Sequence, residues 1–211
     1  MPVDGPLYPV NLIVRGRRCL VVGGGRVALG KVRGLLDAGA LVTVVAPEVI
    51  DEIAELEGVS VERRPYRRGE VAGYRLALTA TGAPDVDAQV FEDGEVAGVW
   101  VNAADDPAHC SFTLPARARR GPLLVTVSTG GHSPALASWL RERFERELGP
   151  EYDTLVQLLA EARAELAARG QPTENPGWKL ALDSGMLELI REGDLAEAKE
   201  RLQACLSSSS G

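Results

Sequence analysis

Histidine and cysteine are scarce in this chain, with two of the first and three of the second. Cys19, Cys110 and Cys205 are scattered, odd in number and never form a C-x-x-C pair. That excludes a zinc ribbon or a disulfide framework and predicts buried free thiols. No apolar run reaches the length of a membrane span, because charges interrupt each one. The opening "MPVDGPLYPVNLIVRGRRC" has no basic start followed by an apolar stretch, so no export signal is read. A cytoplasmic protein that does not engage membranes is expected. Positive charge is also in deficit: 23 Lys and Arg against 30 Asp and Glu leave a net charge of −7, which argues against nucleic-acid binding. No internal repeat is visible. Tyr8, Tyr66, Tyr74 and Tyr152 all lack a lysine four residues on, so the Tyr-x-x-x-Lys pair of a short-chain dehydrogenase is missing.

What is present suits a globular protein. The 211 residues are 45% hydrophobic, enough for one large domain or two small ones. From Arg18 to Ala103, "CLVVGG", "LVTVVAP", "VSVERR", "RLALTAT" and "GVWVNAA" are short, β-branched and bounded by turn signals, and are predicted strands. Helical patterns at Val27–Ala38, Glu48–Leu56 and Asp85–Asp93 alternate with them. The alternation predicts an α/β, Rossmann-like parallel sheet covered on both faces. After Asp105 the rhythm changes. "CSFTLPARARRGPLLVTVSTGG" predicts two more strands separated by a basic loop. Ser133 and Pro134 then predict the N-cap and first position of a helix with Leu136, Leu140, Phe144 and Leu148 on one face. A second helix carries Leu155, Leu159, Ala162 and Leu166 and stops at Gly170. Two or three short helices follow, the last capped by Asp194 with Glu197, and "SSSSG" is expected to fray.

Two stretches carry chemistry. In "CLVVGGGRVALGKVRGLLDAGALVTVVAP", Gly23 to Ala28 fit the dinucleotide pattern G-x-G-x-x-G/A between a strand and a helix. Gly23 permits the tight turn, Gly25 lets a diphosphate approach the backbone, and Ala28 lets the helix pack closely on the sheet. The helix opening at Arg26 and Val27 would direct its free N–H groups at the phosphates. Gly23, Gly24, Gly25, Arg26 and Val27 are thus cofactor-binding candidates, with Ala46 and Pro47 after the second strand, Thr81 after the fourth and Asn102 on the fifth. The second strand ends without the usual ribose-binding acid. It also offers no arginine beside Ala46 for a 2′-phosphate, which tilts the choice from NADP to NAD. In the second stretch, "VWVNAADDPAHCSF", Asp105 follows the fifth strand. A carboxylate there, partly shielded from water, would be placed for proton exchange with a substrate. The alternative is that Asp105 and Asp106 only start a turn before Pro107.

The segments "CLVVGGGRVALGKVRGLLDAGALVTVVAP", "TATGAPDVDAQVF", "VNAADDPAHCSFTLPA" and "GPLLVTVSTGGHSPALASWLRERFE" together resemble the precorrin-2 dehydrogenase family, which includes the dehydrogenase/ferrochelatase part of siroheme synthase. The resemblance is close over residues 7–150 and looser in the helical tail. It implies an NAD-dependent oxidation of precorrin-2 to sirohydrochlorin, with Asp105 as the essential active-site aspartate that accepts or relays a proton. It implies a homodimer with a nucleotide domain over 1–113, a dimerisation region over 114–150 and a helical domain over 151–211. The tetrapyrrole substrate bears many carboxylates. Arg117, Arg119 and Arg120 are therefore substrate-binding candidates, with Arg141, Arg143 and His132 behind them. Ser128 or Thr129 stands where some members accept a phosphate. Iron or cobalt insertion into sirohydrochlorin is an open second activity, and no bound-metal cluster is expected. A reading of another class is an NAD-sensing binding module, but the tail lacks the basic DNA-binding element such a module usually carries.

Overall fold

Five apolar runs become the strands of one parallel sheet: β1 (Arg18–Val22), β2 (Leu41–Ala46), β3 (Val59–Arg63), β4 (Leu76–Thr79) and β5 (Trp100–Ala103). The computed structural model describes residues 5–208. Two units are distinct in it. The first runs to Leu114 and takes in Gly130–His132; the second comprises Pro115–Thr129 and the chain from Ser133.

In the first unit the strand order is β3-β2-β1-β4-β5. Because the sheet is covered on both faces, β1 and β4 are buried almost throughout, as their uninterrupted apolar sequences require. One face packs Val21, Val44 and Leu78 against Ala28, Val32 and Leu35 of α1 (Arg26–Asp37). The other packs Leu20, Val45, Ala77 and Val101 against Val90 of α3 (Pro84–Ala97). Each fully buried Val or Leu stabilises by roughly 1.5–3 kcal/mol, so these two layers set the positions of the strand ends.

Two expectations change here. The predicted helix Glu48–Leu56 shrinks to the single turn α2 (Asp51–Ala54). The Ile50 N–H is bonded to Gly24 O at 3.0 Å, which keeps residues before Asp51 extended against the glycine turn. The predicted basic loop is itself a strand, in the second unit. There β6 (Ala116–Arg120) pairs antiparallel with β7 (Leu123–Val127), and Gly121-Pro122 is the whole connection. The sequence Ala-Arg-Ala-Arg has period two, so Ala118 is buried while Arg117 and Arg119 share the exposed face. "CSFT" contributes only the bridge Asn102–Cys110.

The rest of the second unit is helical: α4 (Pro134–Glu147), α5 (Glu151–Ala168), α6 (Gly177–Asp183), α7 (Met186–Glu192) and α8 (Leu195–Ser208). Ser133 Oγ accepts from the Leu136 N–H at 3.2 Å, with Pro134 opening the helix as read. Asp194 Oδ1 likewise accepts from the Glu197 N–H. Leu155, Leu158, Met186, Ile190, Leu202 and Leu206 form the helical core. On α4, by contrast, Leu136 and Trp139 remain about half exposed, at 48% and 52%. Of "SSSSG", Ser207 and Ser208 close α8; residues 209–211 lie outside the described residues. Cys19 is buried and its thiol is pushed up to about 11 by that burial, while Cys110 and Cys205 are half-buried. No described helix is long and apolar enough to cross a membrane.

Candidate functional site

Strand order defines the crevice. β2 and β4 flank β1 on opposite sides, so the connections after β1 and β4 leave in opposite directions and open a gap at the carboxyl edge. The glycine turn fills its floor. A Cβ on Gly23, at φ +122°, would stand 2.3 Å from Ala80 O; one on Gly24 would stand 2.0 Å from Glu48 O. Those two glycines let the turn press between the exits of β4 and β2. Gly25 differs. It is exposed, its backbone is extended, and a Cβ there would meet nothing within 4 Å. It is also the N-cap of α1 and supplies no side-chain cap, so the first turn of the helix, with Arg26 and Val27 exposed, keeps its N–H groups uncapped by any side chain of the turn. Ala28 is fully buried against the sheet. An open backbone with uncapped donors at a positive helix end is what a diphosphate requires, so the residues fit a dinucleotide.

At the end of β2, Ala46 is buried and Pro47 exposed. Reading β2 alone finds no cation there, but the register sets Arg63 of β3 opposite Ala46. After β4, the Thr81 hydroxyl accepts from the Ala83 N–H at 2.9 Å and donates to Asp87 Oδ1 at 2.8 Å. Asp87 is buried in the first turn of α3, where the helix dipole favours a carboxylate.

The end of β5 is the most tightly determined part of the edge. Asn102 is buried; its Oδ1 accepts from Lys31 Nζ at 3.1 Å and its Nδ2 donates to Phe112 O at 2.9 Å. Cys110 Sγ accepts from the Ala103 N–H at 3.2 Å and lies 3.2 Å from Asp106 O. Between these ties stands Asp105, at φ +61°, the one non-glycine residue with positive φ among those described. Aspartate enters this region more readily than most residues, at a small cost that the ties on either side of the turn offset. Asp105 is exposed, not shielded as expected, because it forms the tip of this turn. Asp106 is committed instead to His109, whose Nδ1 lies 2.6 Å from Asp106 Oδ2. That bond holds the Asp106 carboxyl below the usual range.

The first unit thus brings Gly23, Gly24, Gly25, Arg26, Val27, Ala46, Pro47, Thr81, Asn102 and Asp105 to one edge of one sheet. His132 is exposed in the same unit. Arg117, Arg119 and Arg120 belong to the second. There Arg120 lies on the opposite face of β6 from the other two and donates through Nε to Leu148 O at 2.9 Å. Arg141 and Arg143 pair with Glu145 and Glu147 on their own helix. Among the described residues, no group of three or more His, Cys, Asp or Glu side chains gathers to hold a metal.

Lys31 and Asp87 carry no reading in the sequence, and Cys110 is read there only as a free thiol. Lys31 did leave a signal: it lies three residues after Ala28 and four before Leu35, a charge on the apolar face of α1. Burial lowers its pKa, an effect opposed by the nearby Cys110, Asp105 and Asp87.

Comparison with known proteins places the chain among similar sequences and folds. A family model described as NAD(P)-binding matches residues 10–116, and a second, for the central region of sirohaem biosynthesis proteins, matches 120–147. The siroheme synthase of Nitrosococcus oceani is 37% identical over 203 residues, covering 94% of this chain and 43% of that protein. That of Pseudomonas putida is 39% identical over 197 residues, covering 90% and 42%. The chain therefore spans less than half the length of these relatives. A solved structure of SirC, precorrin-2 dehydrogenase, superposes with a TM-score of 0.68 at 28% identity, covering 94% of this chain and 98% of that one.

Proposed function

The chain belongs to the NAD(P)-binding family that includes precorrin-2 dehydrogenase and the matching part of siroheme synthase, and from that premise we propose that it oxidises precorrin-2 to sirohydrochlorin with NAD as acceptor. One observation carries the reading. An open glycine turn at a helix N-terminus and a carboxylate on a strained turn lie along the same carboxyl edge of one sheet.

In this reading Gly25 and the first-turn N–H groups of α1 hold the diphosphate. Bound NAD supplies the hydride acceptor. Asp105 accepts the proton that leaves the macrocycle with the hydride, so the substrate loses both as its ring is desaturated. Holding the two molecules against one edge removes most of their freedom before reaction, a large share of any rate gain. The substrate's carboxylates call for guanidinium forks, and Arg117 and Arg119 present two on one exposed face of β6. Pairing of two copies would cover Leu136 and Trp139 on α4.

The test is direct. Purified protein given precorrin-2 and NAD should form NADH, and Asp105→Ala should keep its fold and NAD affinity while losing turnover. An Asp105→Ala enzyme at near the wild-type rate would remove the assigned proton acceptor. A sizing column reads the dimer separately.

A further inference from the structure

Lys31 is an expensive residue to keep where it is. Its stem crosses from α1 to the end of β5, a separation of 71 residues in sequence, and its ammonium is part-buried. A buried ammonium is ordinarily neutralised by a carboxylate at ion-pair distance. Among the described residues Lys31 has no such partner, and its single hydrogen bond goes to the neutral amide of Asn102. Three groups face it without touching it: Asp87 from α3, and Asp105 and Cys110 from the turn and loop after β5.

That one bond governs a great deal. The two ends of an amide differ only in donating or accepting, so Asn102 needs a donor on one side and an acceptor on the other to hold one orientation. Lys31 is the donor at Oδ1, and Phe112 O is the acceptor at Nδ2. In that orientation Nδ2 also lies 3.4 Å from Cys110 Sγ, which is itself tied to Ala103 and Asp106. The loop from Ala103 to Phe112 is therefore closed through Asn102, and Asp105 sits inside the closure at φ +61°. Without Lys31, Oδ1 is left buried and unpaired, and the amide loses its reason to point Nδ2 at Phe112.

We infer that Lys31 is the positioning residue of the Asp105 turn, acting through Asn102, with its charge drawing the exposed carboxylate back toward the sheet edge. The role in turnover rests on the proposed reaction; the role in holding the turn does not.

The experiment therefore has two readouts on the full chain. Lys31→Met keeps the stem and deletes the donor and charge, Lys31→Gln keeps a donor without charge, and Lys31→Arg keeps both. Hydrogen exchange of the segment 101–112 should quicken about tenfold or more in Lys31→Met, while that of 17–30 stays as in wild type. With precorrin-2 and NAD, kcat of Lys31→Met should fall about tenfold or more, with KM and the NAD Kd changed by no more than about twofold, and Lys31→Arg should recover most of the loss. The pH profile separates charge from structure. Burial places the Lys31 pKa below that of an ordinary lysine, so the wild-type rate should fall at alkaline pH as the ammonium deprotonates. Lys31→Arg should move that limb upward, and Lys31→Gln should abolish it. Should Lys31→Met not fold, Lys31→Gln and Lys31→Arg carry the same comparison. Wild-type exchange in 101–112 together with a wild-type rate in Lys31→Met, or an unmoved alkaline limb in Lys31→Gln and Lys31→Arg, would overturn the inference. A wild-type protein inert toward precorrin-2 would instead overturn the reaction, and the exchange comparison would still decide the role of Lys31.

Discussion

Replacing Gly25 with alanine should leave the fold nearly as stable as before and weaken cofactor binding, so one methyl group separates the two. Gly25 has φ −94° and ψ −169°, a backbone that any residue adopts, and its Cβ position is clear to 4 Å. Alanine there strains nothing and narrows the unfolded ensemble by about 0.4–1 kcal/mol, but it is a poorer N-cap than glycine by a similar amount, so stability should move by no more than about 0.5 kcal/mol. The same methyl would stand at the head of α1, where the proposed reading brings the diphosphate closest. Losing that approach should weaken NAD binding by about 10- to 100-fold, or about 1.4–2.8 kcal/mol. Gly24→Ala is the contrasting control. Its Cβ would lie 2.0 Å from the Glu48 carbonyl oxygen, an atom of the backbone that cannot swing aside. That substitution should cost the fold about 1–3 kcal/mol before any ligand is added. Denaturant melts read the first quantity and NAD titration by calorimetry the second. A Gly25→Ala protein of near wild-type stability that binds NAD equally well would show that no phosphate passes over Gly25.

Three further outcomes follow from the same edge and its supports. An aspartate in the left-handed region costs about 1 kcal/mol, so Asp105→Gly should stabilise the protein slightly while abolishing NADH formation; a loss of stability in urea would mean that the side chain itself holds the turn. Arg63, opposite Ala46, carries an exposed charge at the ribose end of the crevice. Arg63→Ala should therefore leave the NAD Kd unchanged and raise the NADP Kd by about two- to fivefold, and an equal effect on both would refute that placement. Glu70 is pushed up by burial but pulled further down by hydrogen bonds from Arg64 and the Arg67 N–H, so its net shift is below the ordinary 4.5. A lowered carboxyl pKa contributes stability that is complete above 4.5 and is lost as the pH falls through the lowered value. The stability gap between wild type and Glu70→Gln should thus be largest near neutrality and close in acid, as read by melts across the range.

What could be read from the sequence followed how local the cause was. The strands after Arg18 were legible because a strand covered on both faces must be apolar along its whole length, and "CLVV" and "LALT" are. Gly23-Gly24-Gly25 was legible as a turn, but its division of labour was not: that Gly24 answers to Glu48 and Gly25 to nothing depends on where β2 ends in space. "ARARR" reads as a loop when charge is given more weight than period; alternation of alanine and arginine is a strand's pattern when the alanine side finds a surface, as Ala118 does. Asp105 and Lys31 make the deepest contrast. Asp105 could be singled out from sequence because a carboxylate after a strand is a recognisable candidate, and the family resemblance, not its spacing, favoured catalysis over a turn before Pro107. Lys31 has no chemistry of its own to announce. Its importance comes from an amide that the chain reaches only 71 residues later, and from three groups gathered by α3 and the loop after β5. A residue that acts through placement becomes visible only when the elements that it joins are assembled. The anomaly it leaves in the sequence, one cation on the buried face of α1, therefore deserves the same scrutiny as a motif.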